Sequence, residues 1–293
     1  MKRADCPGSL PGERRIEQPR VEEPYKRQIG KDMYICYRKK MLRLAQIWFY
    51  DKIEEFPGKE SGDARDARRA DIAFYHNIAE PQEGRFTICQ TFHSQISDLT
   101  LPEEELFAKI SKTERYQIRK NSREDVAVRI WNSEEILKDG QVIEDLAKMY
   151  EAMYASKGHP KTMNREQVRA YTQAGGLYIT CVEKDGEPLV YHSYTVDRDN
   201  ARLLHSVSDF REREDANLIA HSNKRLHWED MKLFAGIGIK NYDWGGISSL
   251  TEPNGIDIFK MKFGGTLTTY YNVITGQTLL GRLAMLVLKK KGL

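Results

Sequence analysis

Hydrophobic and polar residues alternate with a period of two in many short segments of the chain, which is typical of half-buried β-strands. Asp185-Gly186 separates two such segments, which is a strong hairpin signal, and a further turn at 197–200 leads to a third strand. These three strands are therefore predicted to form an antiparallel meander. The predicted strands cover 33–37, 71–75, 85–92, 126–131, 177–183, 189–196, 202–207, 240–244 and 266–274. Periodicity does not distinguish strand from helix over 43–53.

Longer segments with an apolar residue at every third or fourth position predict helices. Thr100 precedes Glu103 at capping-box spacing and Pro102 falls in the first turn, so one helix is predicted to begin here and continue to Arg123. Strands and helices in this order favour a mixed sheet covered by helices, of the α+β or α/β class. The other predicted helices cover 134–157, 165–173 and 215–234.

Basic residues form a stripe along the first of these helices. Lys112, Arg115, Arg119 and Arg123 recur at spacings of three or four, so they share one face. A basic stripe of this kind is commonly a solvated surface. The alternative is a site for phosphate groups, in which the arginines act as bidentate clamps.

Two glycine-terminated segments are the strongest candidates for a site. Residues 241–247, NYDWGGI, predict a strand that ends in two glycines, and residues 258–265, IFKMKFGG, form an aromatic and basic segment that ends in two more. Glycine lets a backbone approach a ligand closely, and a lysine beside such a backbone could hold an anion or an oxyanion. The alternative is two turns of a sheet with solvated charges.

Composition limits the class of protein. The 293 residues are 40% hydrophobic and 30% charged, which suits a globular protein. Net charge is only +3, from 46 basic and 43 acidic residues, so bulk charge does not indicate nucleic-acid binding. The four cysteines are widely spaced, which suits a reducing cytoplasm and argues against a structural metal site. A membrane-spanning segment and a signal peptide are not expected.

Both ends of the chain differ from its middle. Residues 1–30 hold four of the ten prolines and few apolar residues, which predicts a flexible arm. Residues 59–71 are charged and predict a surface loop or a short exposed helix. Near the other end, 279–288 is apolar and three lysines follow it. This tail could rest on a membrane surface, or it could pack as a helix on its own domain.

The two glycine-terminated segments resemble the motifs of the FemABX peptidoglycan-bridge aminoacyltransferases, which belong to the GNAT-fold acyltransferases. Two further stretches are similar: Asp98-Leu99 followed by 115–120, and the run 208–218 together with His227-Trp228. The similarity extends from about Ser97 to Tyr271.

The resemblance implies two GNAT-like units side by side. It implies a mixed sheet flanked by helices, with a shortened first half at 31–125 that includes the linking helix. The second half would cover 126–275, and a basic tail would follow at 276–293. The short first half implies that acceptor-binding elements are reduced or lost.

The resemblance also implies roles for individual residues. Lys260 would stabilise the oxyanion of acyl transfer, although it could equally be a salt-bridged surface lysine. Asp209 or His205 would act as base, His205 also being compatible with a core histidine. Asp243 would be a base or a carboxylate that fixes the glycine turn. The residues expected to contact substrate are Arg115, Arg119, Lys120, Tyr242, Trp244, Gly245, Gly246, Phe259, Phe263, Gly264 and Gly265.

The donor is expected to differ from that of most GNAT enzymes. Coenzyme A enzymes of this fold carry a glycine-containing loop that cradles pyrophosphate at a helix N-terminus. The matching segment, 210–217, contains no glycine and three acids. This favours an aminoacyl-tRNA or another activated donor, with a cell-envelope precursor in a bacterial cytoplasm as acceptor. The alternatives are an acetyltransferase for a surface polysaccharide, a binding protein on the same fold, and simple nucleic-acid binding by the basic stripe.

Overall fold

A computed structural model describes residues 34–48, 69–208 and 215–291. These residues form a ten-stranded sheet with the spatial order β1-β2-β3-β10-β4-β9-β8-β7-β6-β5. The strands are β1 Tyr34–Lys39, β2 Leu42–Trp48, β3 Ile72–Ile78, β4 Thr87–Asp98, β5 Ala127–Asn132, β6 Leu177–Lys184, β7 Glu187–Asp197, β8 Asn200–Ser208, β9 Asn241–Ile247 and β10 Thr266–Gly276.

The sheet is mixed, as predicted. The pairs β2–β3 and β8–β9 are parallel, and the other neighbours are antiparallel. The predicted meander is β6–β7–β8. Strand β10, near the end of the chain, lies between β3 and β4, which belong to the first half of the sequence. The sequence boundaries proposed for the two halves stay a prediction.

Helices cover both faces of the sheet. One face carries α3, α4 and α5, which bury residues such as Leu146 and Tyr171 against β6 and β7. The other face carries α1, α2, α6 and α7, which bury Phe234 and Phe263 against β7 and β9. The helices are α1 Glu103–Lys109, α2 Lys112–Asn121, α3 Ser133–Lys138, α4 Gln141–Ser156, α5 Arg165–Gln173, α6 Ala216–Gly236, α7 Gly255–Met261 and α8 Leu279–Lys290.

Two of the predicted helices are each broken into two. The helix predicted from Thr100 to Arg123 ends at Ile110, whose backbone is extended, and Ser111 begins the next helix by accepting a hydrogen bond from the Glu114 amide at 3.4 Å. Thr100 does not cap the first helix, because its hydroxyl bonds Asp98 instead. The helix predicted at 134–157 is likewise interrupted, at 139–140 between α3 and α4.

The most consequential feature of the sheet is the parting of β8 from β9. The two strands pair at only three positions, from Asn200 with Asn241 to Arg202 with Asp243. Both strands continue beyond that point, β8 to Ser208 and β9 to Ile247, without further pairing to each other. Unpaired backbone on two facing strands is a place where a ligand can insert, since its donors and acceptors are not used by the ladder.

Some sequence predictions fall outside the described residues. The arm at 1–30 and most of the charged run at 59–71 lie there. In the described part of the chain, every helix is too short or too polar to cross a membrane.

Candidate functional site

Three elements converge where β8 and β9 part. Gly245 of β9 has a φ of +72°. A Cβ atom at this position would lie 3.3 Å from the carbonyl oxygen of Leu203 in β8 and 4.0 Å from the ammonium nitrogen of Lys260 in α7. A residue without a Cβ therefore allows the strand, its neighbour and the lysine to meet at one point.

Helix α7 is fixed in place by its own N-terminus. Asn254 caps the helix, and Asp257 completes a capping box with it. Asp257 also accepts hydrogen bonds from the amide and the hydroxyl of Ser248, the residue that follows β9. Lys260 lies three residues after Asp257, on the same side of the helix. The end of β9 thus determines where Lys260 is held.

Lys260 is half-buried and directed at the glycines. Its Nζ donates a hydrogen bond to the carbonyl oxygen of Gly246 at 2.6 Å. Burial lowers the pKa of this lysine, while the nearby charges of Asp243 and Asp257 oppose that shift. An ammonium group carries three donors, so two remain for a ligand at the opening.

Asp243 is the organising carboxylate below this opening. It is buried and accepts hydrogen bonds from the Gly245 amide at 2.8 Å and from the Asn77 side chain at 3.0 Å. The hydroxyl of Ser94 donates to the same carboxylate. Arg202 lies 3.9 Å away. Both carboxylate oxygens are therefore occupied by partners that hold the positive-φ turn.

Arg202 was not anticipated from the sequence. Its guanidinium lies 4.8 Å from the ring centroid of Trp48 and 4.6 Å from that of Phe92, and Nη1 donates to the side-chain oxygen of Asn77 at 2.6 Å. A charge held between aromatic rings is stabilised by their quadrupoles. The only sequence signal was an arginine directly before two leucines in a predicted strand, ARLLHSV.

A chain of buried hydrogen bonds lies on the α6 side of the site. The Tyr242 hydroxyl is 2.7 Å from His227 Nδ1 and 2.7 Å from the Tyr194 hydroxyl. Tyr194 donates to Asp230 at 2.5 Å, and Asp230 is 2.7 Å from His192. Burial drives the pKa of His227 well below its usual value, and the Lys260 charge acts in the same direction. The network therefore lies within electrostatic reach of the opening.

The same cluster is the one group of described residues with metal-ligand character. His192, His227 and Asp230 place ligand atoms within 4.8 Å of one another. These atoms are already paired, since His192 bonds Asp230 and His227 bonds Tyr242. The arrangement is a hydrogen-bond network that supports the core beside Lys260.

The chain is similar to known proteins in its fold but not in its sequence. No family model matches this sequence, and no curated protein matches it. Solved structures do match: FemX is similar with a TM-score of 0.56 at 12% sequence identity, over 87% of this chain and 86% of FemX. The chain has the fold of FemX.

Two further structures extend the similarity. The C-terminal domain (DUF2156) of an Agrobacterium fabrum protein described as a lysylphosphatidylglycerol synthetase matches with a TM-score of 0.51 at 14% identity, over 84% of this chain and 82% of that domain. A GCN5-related N-acetyltransferase-like protein from Streptococcus suis is a weaker match, with a TM-score of 0.34 at 12% identity, over 69% of this chain and 70% of that one. The mixed sheet flanked by helices that the resemblance implied is confirmed, with the fold of FemX.

On this FemX-like fold, the residues predicted as bases occupy different places. His205 lies on β8, where its Nδ1 is 2.7 Å from the Ser193 hydroxyl and its ring meets the edge of Tyr150. Burial lowers its pKa to about 4, so the imidazole is neutral near pH 7. Asp209 lies outside the described residues.

The aromatic residues of the two motifs are core residues. Tyr242, Trp244 and Phe263 are at most 1% exposed, and Phe259 packs against the Trp244 ring. Their role as substrate contacts stays a prediction. Tyr242 and Trp244 are directed to α6 by β9, and Phe263, which follows α7, packs in the same cluster. They anchor α7 and hence Lys260.

At the last glycine pair, the backbone packs closely against other backbone atoms of the chain. Gly265 has a φ of +110°, and a Cβ there would lie 2.4 Å from the Ile96 carbonyl oxygen. At Gly264 a Cβ would lie 2.8 Å from the Lys109 carbonyl oxygen, and at Gly246 it would meet the Phe92 ring at 2.9 Å. At these three positions neighbouring atoms of the chain itself leave no room for a Cβ, and a role for these glycines in binding substrate stays a prediction. Gly245 and Gly246 both face Lys260, Gly245 through its α-carbon and Gly246 through its carbonyl oxygen.

The predicted basic stripe is divided by the packing of α2 on α6. Arg119 and Lys120 are exposed, and the Arg119 guanidinium lies 5.0 Å from the Phe107 ring centroid. Arg115 is half-buried, and its Nε has no hydrogen-bond partner among the described residues. Glu114 points inward to Lys224 and Lys262. The outward face of α2 is therefore basic, and it carries an aromatic ring, since Tyr116 is 67% exposed.

Proposed function

We propose that this protein is an acyltransferase that moves an aminoacyl group from aminoacyl-tRNA to an amine of a peptidoglycan or other cell-envelope precursor. The observation that carries this proposal is the position of the Lys260 ammonium at the opening between β8 and β9. A fixed cation beside free backbone groups suits the developing charge of acyl transfer. The FemX-like fold supports the same reaction class.

The proposed reaction requires only the donor, the acceptor and the side chains of the protein. The acceptor amine attacks the ester carbonyl of the aminoacyl-tRNA, and a carbon–nitrogen bond forms. Negative charge gathers on the carbonyl oxygen, where Lys260 donates a hydrogen bond. The carbon–oxygen bond to the terminal ribose then breaks, and the ribose hydroxyl leaves with the proton that the amine loses.

The proton must be relayed by a group near the acceptor. His205 is one candidate, because its neutral imidazole has a lone pair, and Asp209 is the other. Asp243 is not assigned this step, since its oxygens hold the Gly245 turn and Arg202. In this proposal Asp243 positions the backbone that faces the substrate.

The α2 surface supports an RNA donor. Its exposed face combines Arg119 and Lys120 with the exposed ring of Tyr116. Cations contact phosphates, and an exposed ring can stack on an unpaired base. The absence of glycine from 210–217 points away from the usual grip on coenzyme A. We therefore favour aminoacyl-tRNA over an acetyl donor.

Mass spectrometry of cell-envelope precursors tests this function. Cells that contain the protein should show a precursor heavier by one amino-acid residue than the same precursor in cells that lack it. Expression of Lys260→Ala should fail to restore that mass, while Lys262→Ala should restore it. An added acetyl group would support an acetyltransferase instead, and no added mass would contradict the proposal.

A further inference from the structure

Helix α8 has two apolar faces, and only one of them is covered. Its inner face packs Met285 and Leu288 into a cluster with Leu42 and Leu44 of β2. Its outer face exposes Leu279 by 80%, Leu283 by 62% and Val287 by 53%. These three residues are spaced by four, so they line up along one side of the helix, and Leu280 at 44% widens the stripe. We call this surface the α8 stripe.

The charges carried by α8 itself are all positive. The helix contains no aspartate or glutamate. Arg282 and Lys289 lie along one edge of the stripe, Lys290 lies at its C-terminal end, and Lys291 follows, and all four are exposed. Two basic side chains are also directed to the neighbouring loop, where Lys289 donates to the Gly84 carbonyl and Arg282 lies over the Phe86 ring.

A second element beside α8 repeats this chemistry. The turn between β1 and β2 exposes Met41 by 84%. Arg38, Lys39, Lys40 and Arg43 surround it and are exposed. This turn is close to α8, because Leu42 packs in the same cluster as Leu288. Two neighbouring parts of the chain, which share one hydrophobic cluster, therefore each expose apolar side chains beside basic ones.

We propose that the α8 stripe and the Met41 turn bind the surface of an anionic lipid bilayer. Apolar side chains insert between the lipid headgroups and the acyl chains, while lysine and arginine contact the negative headgroups. Neither the apolar insertion nor the electrostatic attraction gives strong binding by itself. A protein partner would need matching acidic groups around an apolar groove. A bilayer supplies both features over the whole area, which suits two elements that are not contiguous in sequence. The inference does not depend on the proposed chemistry.

Sedimentation of the full chain with vesicles tests this inference. We expect binding to phosphatidylcholine vesicles that contain about one third phosphatidylglycerol, and at least about tenfold weaker binding to pure phosphatidylcholine. Leu283→Glu should weaken the binding to anionic vesicles by at least about tenfold. Leu137→Glu is the matched control, because Leu137 on α3 is 61% exposed but belongs neither to the α8 stripe nor to the Met41 turn. It should bind like the unmodified chain.

A charge-reversal variant separates the electrostatic contribution to vesicle binding from the apolar one. Lys290→Glu with Lys291→Glu should reduce binding to anionic vesicles about tenfold and leave binding to pure phosphatidylcholine unchanged. Equal binding to both vesicle types, or wild-type binding by Leu283→Glu, would overturn the inference. So would a lipid-free oligomer, seen by light scattering, that Leu283→Glu dissociates while vesicles leave the chain unbound. That result would make the stripe a contact between copies.

Discussion

The ammonium nitrogen of Lys260 lies 2.6 Å from the carbonyl oxygen of Gly246. This contact joins the last turn of α7 to the end of β9, just where β9 leaves β8. The lysine is therefore held by one carbonyl and still has donors that face the opening. A surface lysine with four free rotatable bonds could not be placed in this way.

Gly245→Ala tests the convergence of strand and lysine. The left-handed backbone at this position disfavours any Cβ, and the added methyl would press on the Leu203 carbonyl oxygen. We expect a loss of about 1–2 kcal/mol in the free energy of unfolding, measured by urea denaturation. We also expect slower acyl transfer, since the methyl lies 4.0 Å from the Lys260 nitrogen.

Gly236→Ala is the control for that change. Gly236 ends α6, and a Cβ there would meet no atom within 4 Å. This substitution should leave transfer unchanged and stabilise the protein by a few tenths to about 1 kcal/mol. A Gly245→Ala protein as stable and as active as the parent would show that the positive-φ turn is not required.

Asp243→Asn distinguishes an organising carboxylate from a base. The amide would lose the charge near Arg202 and weaken the hydrogen bond from the Gly245 amide. We predict a loss of about 2–3 kcal/mol in the free energy of unfolding. The exposed pair of Asp199 with Lys240 gives a comparison, and Asp199→Asn should cost less than about 1 kcal/mol. If Asp243→Asn is fully stable but inactive, Asp243 is a base.

Much of the fold could be predicted because the decisive signals are local. The helix 165–173 was predicted with the bounds that α5 has, and Asp185-Gly186 placed the turn between β6 and β7 correctly. The break at Ile110 was missed, because the apolar period continues through it while the Ser111 amide bonds the Lys262 carbonyl. That partner lies far along the chain, so no local pattern reveals it.

Contacts between residues far apart in sequence also limited the prediction of the site. The Lys260 motif was visible because the lysine and its glycines are close in sequence. The partners that hold Asp243 and Arg202 were not, since Asn77 is 166 residues from the first and 125 from the second. Tyr242 and Trp244 were predicted as substrate contacts, and the structure places both in the core against α6. Pattern alone does not say which face of a strand is covered.

Stability should depend on pH through buried histidines. Burial lowers the pKa of His76 to about 3, that of His205 to about 4, and that of His227 well below its usual value. Below about pH 6.5 the unfolded chain takes up protons on these groups while the folded chain does not, so stability falls as pH falls. Urea denaturation at pH 7.5 and pH 5 should show this loss.

The carboxylates act in a lower pH window. A hydrogen bond from the Arg43 amide lowers the pKa of Asp71, and the Thr100 hydroxyl lowers that of Asp98. Their contribution is present above the unfolded pKa near 4 and is lost as pH falls through the folded pKa. The loss between about pH 6.5 and 5 therefore reports the histidines. His205→Gln should make that slope shallower, and an unchanged slope would contradict the assignment.

The outward face of α2 should contribute to RNA binding. Arg119→Ala with Lys120→Ala should weaken tRNA binding at low salt and make the slope of log affinity against log salt shallower by about 1–2. Lys138→Ala with Lys148→Ala removes two exposed lysines from α3 and α4 and should leave both quantities unchanged. Filter binding over a salt series measures both. Equal losses in the two double variants would show a non-specific charge effect.

The most direct test of the central claim is the rate of aminoacyl transfer by Lys260→Ala beside that by Lys262→Ala. Lys262 is two residues away and exposed, and it pairs with Glu114 at 3.6 Å. With charged total tRNA as donor and extracted envelope precursors as acceptor, Lys260→Ala should lower the rate by about 10²–10³-fold. Lys262→Ala should stay within about threefold of the parent, since Lys262 is exposed and the buried Glu114 keeps Lys224 as a partner. A folded Lys260→Ala protein that transfers at the parental rate would contradict the account.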